Sequence, residues 1–165
     1  MTIQPHTIFD SNAVNYISDW KVIDDVVMGG RSSGTVHLNN EGNVSFEGHV
    51  SLENNGGFST LKHRFNDIVT KPYSKIVLNV RGDGKKYQFR LKKKVSDNHS
   101  YVSYFNTSED WEVIELLLAD MYPTFRGRKL NIPNYDGNSI QEVAFLIGNK
   151  KAEDFKLEIG SIVLK

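Results

Sequence analysis

The chain has 165 residues, with 20 Lys plus Arg against 20 Asp plus Glu. That length suits one domain over 1–165 with a substantial core, and the balanced charge gives no long-range field to draw in nucleic acid or an anionic membrane. Cysteine is absent, which excludes disulfides, thiolate metal ligands and a thiol nucleophile; no long apolar run or basic-then-apolar leader occurs, so the expectation is a cytoplasmic protein with no membrane span.

In chain order, an apolar stretch from Trp20 runs into Asp24-Asp25 and the pair Gly29-Gly30, followed by Arg31, Ser32 and Ser33. A phosphate loop needs Gly-x-Gly-x-x-Gly or a Gly-Lys-Ser/Thr ending, and this segment has neither. The alternative is a glycine corner in which Asp24 or Asp25 pairs with Arg31. In 44–52, Val44, Phe46, Gly48, Val50 and Leu52 alternate with Ser45, Glu47, His49 and Ser51, the period of a half-buried strand. The same period returns at Ile76, Leu78 and Val80, at Tyr87, Phe89 and Leu91, and at Phe155, Leu157 and Ile159. Turn signals separate these runs: Asn39 to Gly42, Glu53 to Gly57, Arg81 to Gly84 and Asp136 to Asn138. Asn54 to Thr60 reads as a tight hairpin, although its amides could also bind sugar hydroxyls. The gaps are too short for βαβ crossovers, which leaves an all-β, antiparallel two-sheet sandwich or barrel. Trp111 to Leu118 starts with aromatic and β-branched residues and is assigned as a strand. Asp120 to Tyr135 carries Pro123, Gly127 and Pro133 and is expected to be a long irregular loop.

Three further surfaces could recognise a ligand. Arg81 to Arg90 reads as a hairpin with Asp83 in its turn; its second strand exposes Lys86, Gln88 and Arg90 if Tyr87 and Phe89 face inward, with Tyr101 to Phe105 opposite. Tyr101 and Tyr104, three residues apart, fall on different faces. A face combining Tyr87, Arg90, Tyr101 and Tyr104 can stack a sugar or grip an acidic strip, and the alternative is a solvated strand face with cross-strand ion pairs. The segment from Tyr122 to Lys129 puts Tyr122 and Phe125 beside Arg126 and Arg128, a composition suited to a protein interface, unless the aromatics only pin the loop to the core. Asp25 and Arg31 mark the third candidate, the glycine corner. Catalytic arrangements are not evident: the five histidines show no paired metal spacing, and the carboxylate pairs Asp24-Asp25 and Glu109-Asp110 point to opposite sides of an extended chain. No cofactor is expected. A structural calcium held by Asp10 and Glu158 has little support without a dedicated loop.

Trp20 to Gly34, Phe46 to Leu52, Asn55 to Ser59, Arg81 to Gly84 with Tyr87, Trp111, and Phe125 to Arg128 occur in the order found in the complex I intermediate-associated protein family, and the chain resembles that family over nearly its whole length. The resemblance implies a galactose-binding-like jelly roll similar to carbohydrate-binding modules. Mitochondrial members are assembly factors that hold intermediates of the respiratory NADH:ubiquinone oxidoreductase, and related plastid domains serve other assembly or translation roles. The resemblance supplies no catalytic residues, and its polar positions Asp25, Arg31, Arg81, Asp83, Arg126 and Arg128 can equally maintain the fold. The expectation is a non-enzymatic protein-binding module whose partner is an assembly intermediate, with a carbohydrate-binding module as the alternative.

Overall fold

In a computed structural model, which describes residues 3–13, 20–25 and 30–165, thirteen strands form two antiparallel sheets. They are β1 (His6–Asp10), β2 (Trp20–Asp24), β3 (Ser33–Leu38), β4 (Val44–Val50), β5 (Ser59–Val69), β6 (Lys75–Arg81), β7 (Lys86–Lys92), β8 (Ser100–Asn106), β9 (Trp111–Leu117), β10 (Tyr122–Phe125), β11 (Arg128–Lys129), β12 (Ser139–Ile147) and β13 (Glu153–Leu164). Sheet A runs β3-β4-β13-β6-β9, with β1 also paired to β13; sheet B runs β11-β10-β8-β7-β12-β5-β2.

The two-residue period determines what each strand buries. Phe46, Ile76, Leu78, Val80, Leu157 and Ile159 of sheet A meet Leu61, Tyr87, Phe89, Leu91, Val143 and Phe145 of sheet B, all fully buried. Aromatic edges lock this layer, with Phe89 and Phe145 T-shaped at 5.4 Å and Phe9 against Trp20 at 5.1 Å. The alternation in β13 changes phase at Gly160, where a bulge shifts the register between Ile159 and Ser161 so that Ile162 and Leu164 still face the core.

Three sequence expectations are corrected. Arg81 to Gly84 is not a hairpin, because β6 belongs to sheet A and β7 to sheet B. Glu53 to Gly57 likewise carries the chain from β4 in sheet A to β5 in sheet B. Both turns have the glycine and amide chemistry of hairpins, which reverses the chain without fixing which sheet receives the next strand. The third is the expected loop from Asp120 to Tyr135, which contains β10 and β11. Pro123 is tolerated there because β10 is short and near the sheet edge, and Arg126 (φ 51°) with Gly127 (φ 77°) closes a two-residue turn between the register partners Phe125 and Arg128. Trp111 to Leu117 is a strand as expected, and β7 pairs β8 with Gln88 opposite Tyr104.

Candidate functional site

The glycine corner resolves into a knot around Asp25. Its side chain is 0 % exposed and accepts four hydrogen bonds: from the Ser32 amide (2.9 Å) and hydroxyl (2.5 Å), the Gly57 amide (2.6 Å) and the Phe58 amide (3.2 Å). Two of the sequence blocks that carried the family resemblance are thereby tied together through one carboxylate. A Cβ at Gly30 would collide with that carboxylate, and one at Gly56 would sit 2.5 Å from Oδ2, so both positions need glycine for close approach. Burial pushes the Asp25 carboxyl upward, but the Ser32 hydroxyl and the Gly57, Ser32 and Phe58 amides outweigh it and hold the group below the usual carboxylate range. The expected Asp24 or Asp25 pairing with Arg31 is not found among the described residues. Asp24 instead accepts from the Gly34 amide (2.9 Å) and the Ser59 hydroxyl, while Arg31 is exposed. Gly29 lies outside the described residues.

Asp83 is also structural. It accepts from the Tyr87 hydroxyl (3.0 Å) and the Lys156 amide (2.9 Å), pinning the β6–β7 crossover to β13. Burial, then Asp83, pushes the Tyr87 phenol well up, so it stays a neutral donor. Tyr87 (0 % exposed) and Tyr101 (4 %) both point into the core and cannot form the ligand-facing surface expected of them. Arg81 ends β6 in sheet A, where it donates to the Glu109 carbonyl at 3.0 Å and stands 3.8 Å from Glu158. Glu158 is further held by Asn39, and Asp10 accepts from the Asn12 amide. Among the described residues no group of three or more His, Asp or Glu is placed to hold a metal.

Of the remaining candidates, Arg90, Tyr104 and Tyr122 lie on the outer face of sheet B. One cross-strand row runs Lys21 (β2), Lys62 (β5), Ala144 (β12), Arg90 (β7), Val102 (β8) and Tyr122 (β10). The row beside it holds Arg64, Glu142 and Lys92, and the row on the other side ends in Gln88 and Tyr104. Small Ala144 and Val102 flank Arg90, which lies half-buried and donates to Gln88 at 3.1 Å. Five cations (Lys21, Lys62, Arg64, Arg90, Lys92) thus share these two rows with one carboxylate, the 2 % exposed Glu142, which is committed to Arg64 at 2.8 Å. Burial drives the Lys62 ammonium below its ordinary range; Glu142 pulls it back up, and Lys92, Arg64 and Arg90 push it down further. The face therefore carries uncompensated positive charge that an anion would relieve.

The aromatics on this face and at its rim are not bare. Lys86 Nζ lies 4.5 Å from the Tyr104 ring centroid, Lys129 Nζ 5.5 Å from that of Tyr122, and the Arg126 guanidinium 5.2 Å from that of Phe125. The Phe125 to Arg128 hairpin is the rim of this same sheet: Thr124 and Lys129 share the side of Tyr122, whereas Phe125 and Arg128 alternate to the other side, so the 122–129 candidate adjoins the strand face at the sheet edge. Sequence reasoning missed Lys21, Lys62, Arg64, Lys92 and Glu142. Alternation in Leu61-Lys62-His63-Arg64 was the available signal, but that β5 and β7 flank β12 could not be read from chain order.

Two sandwiched antiparallel sheets, with an open polar face on one of them, are the architecture of the jelly-roll modules. The structure is similar to a family 11 carbohydrate-binding module from Clostridium thermocellum in complex with a β-1,3-1,4-mixed-linked tetrasaccharide (TM-score 0.72, 15 % identity, covering 99 % of this chain and 96 % of that one). It is also similar to part of an agarase, AgWH50C (TM-score 0.66, 10 % identity, 98 % of this chain and 24 % of that one). Residues 9–159 match the family model of complex I intermediate-associated protein 30, and the chain belongs to that family. A curated relative, the mitochondrial complex I intermediate-associated protein 30 of Drosophila melanogaster, is 24 % identical over 96 % of this chain, which spans 62 % of the relative's length. That relative's mitochondrial name lends no support to the cytoplasmic expectation. No helix among the described residues is long and apolar enough to cross a membrane.

Proposed function

We propose that this chain is a non-enzymatic protein-binding module, an assembly factor for a multi-subunit complex, that grips an acidic segment of its partner across the outer face of sheet B and the Phe125 to Arg128 rim. The observation that carries this reading is charge segregation: a chain with no net charge concentrates five cations against one committed carboxylate on a single sheet face. Electrostatic complementarity of that kind selects partners and speeds encounter. Family membership and the name of the Drosophila relative support an assembly intermediate of respiratory complex I as the partner.

A carbohydrate-binding reading of the same face is favoured by the fold likeness and by Tyr104, Tyr122 and Gln88 lying together. It requires a bare aromatic platform, whereas Tyr104 and Tyr122 on the face and Phe125 at the rim each have a cation nearby. Stacking a neutral sugar must displace that cation, while a carboxylate-bearing strip meets it directly.

The test is a crosslinking pull-down from the native cell with the wild type and the Arg126→Ala/Arg128→Ala double variant, with circular dichroism confirming that the variant folds. Recovery of the same protein partner by the wild type alone supports the proposal; equal recovery by both, or glycans without protein, overturns it. A Glu-rich peptide and an oligonucleotide of equal charge complete the test. Equal affinity for the two would reduce the face to a general polyanion surface.

A further inference from the structure

The opposite sheet carries a second feature that the protein-binding reading does not use. Strand β13 changes partner along one of its edges: it pairs β4 up to Ile159 opposite Val44, then pairs β1 from Ser161 opposite Asp10. At the junction lies the Gly160 bulge, and because β1 and β4 do not meet, a groove of about 360 Å3 opens between the end of β1, the β3–β4 turn and the outer face of β6 and β9. Bulges commonly re-aim side chains beside functional sites. Here the bulging residue has no side chain, and a Cβ on Gly160 would lie 3.3 Å from both Trp111 Cζ3 and Asn79 Nδ2. The half-buried indole of Trp111 thus forms one wall, with Asn79, Asn43, Asp10 and Glu41 lining the rest.

The inventory of this groove is mixed in a specific way. Asn43 uses its Oδ1 to accept from the Ser11 hydroxyl (2.9 Å), which leaves its Nδ2 as a donor, and the Asn79 side chain has no partner among the described residues. Asp10 commits one oxygen to the Asn12 amide and keeps the other, and the Glu41 carboxylate has no partner among the described residues. An aromatic wall ringed by free donors and free acceptors fits a ligand whose ring faces are apolar and whose rim bears hydroxyls that both donate and accept. A simple cation fits less well. The amide donors of Asn43 and Asn79 would face it.

We propose that the groove at the Gly160 bulge binds a neutral saccharide ring against Trp111, with Asn43, Asn79 and Asp10 holding its hydroxyls. The site is independent of the basic face of sheet B and stands or falls separately from it. Of the two tryptophans in the chain, Trp20 is buried and Trp111 is not, so the Trp111 Nε1–H resonance reports on the groove.

The test titrates 15N-labelled protein with D-glucose, D-galactose and cellobiose up to about 50 mM, the range appropriate to weak single-ring binding. Saturable shifts of the Trp111 indole and the Asn43 and Asn79 side-chain amides are expected with at least one sugar. Trp111→Phe should retain binding, while Trp111→Ala and, separately, Asn79→Ala should weaken it at least about tenfold. Absence of any saturable shift overturns the proposal. So do shifts centred on Tyr104 and Tyr122, which would place the sugar on sheet B, or a Trp111 response to N-acetyl-lysine methylamide with none to the sugars, which would make the groove a cation site.

Discussion

The Asp25 knot and the outer face of sheet B are both built from charged residues close to the blocks that define the family, yet they use charge in opposite ways. At the knot one carboxylate is buried beneath four donors, and two glycines have no side chains so that the backbone can reach it. On the face, cations outnumber the available carboxylate, and the exposed rings are capped by neighbouring ammonium or guanidinium groups. Residue type does not separate the two regions. What separates them is whether each polar group has found its partner inside the chain, and a recognition surface is where that accounting is left open.

The sharpest way to break the comparison is to remove the carboxylate. Asp25→Ala strands the amides of Ser32, Gly57 and Phe58 in a buried site, and the expected loss is about 3–5 kcal/mol, read by urea unfolding. A loss under about 1 kcal/mol would show that the knot does not anchor the fold. The same carboxylate sets a pH dependence. Its folded pKa lies below its unfolded value, so its contribution is fully present above about pH 4 and is lost as pH falls through the depressed folded value. In Asp25→Asn that part of the acid slope should vanish, so the stability gap between wild type and variant narrows below about pH 4 in urea melts taken at successive pH values.

Much of this fold was legible in the sequence. Period-two alternation placed the core residues of β4, β6, β7 and the first half of β13, because each strand buries one face and any other register would expose it. Sheet membership was not legible. The turns at Glu53 to Gly57 and Arg81 to Gly84 have hairpin chemistry but serve as crossovers, and the choice depends on which apolar layer lies within reach rather than on the turn residues. The site suffered most from this. Arg90 and Tyr104 could be placed on one face from the β7–β8 pairing alone, whereas Lys62 and Glu142 reach that face only through a strand order that chain order does not follow.

A second variant probes the other side of the comparison. Lys62→Glu/Lys92→Glu reverses two cations that flank the committed Arg64–Glu142 pair. It should weaken binding of a Glu-rich peptide at least about tenfold and flatten its salt dependence. Stability should fall by about 1–2 kcal/mol, because both lysines are partly solvated and Lys62 sheds like-charge neighbours, whereas the new carboxylate at 92 faces Glu142 and the Lys92 bond to the Asp97 carbonyl is lost. Isothermal titration at two salt concentrations separates these outcomes. Unchanged affinity would return the face to an ordinary solvated strand surface.

The smallest effect tests the rim, where fold and recognition pull against each other at a single residue. Arg126 occupies the first central position of the β10–β11 turn with φ 51°, a conformation that favours Asn or Gly and costs a residue such as Arg about 1 kcal/mol. A turn shaped only by stability would carry Asn-Gly there. Keeping Arg places a guanidinium over Phe125 at the exposed rim that adjoins the basic face. Arg126→Asn should therefore stabilise the protein by about 0.5–1 kcal/mol in thermal or urea unfolding while weakening capture of the partner in the pull-down. If the variant gains stability and loses nothing in binding, the arginine is a tolerated accident of the turn, and the acidic segment is held by the strand rows alone.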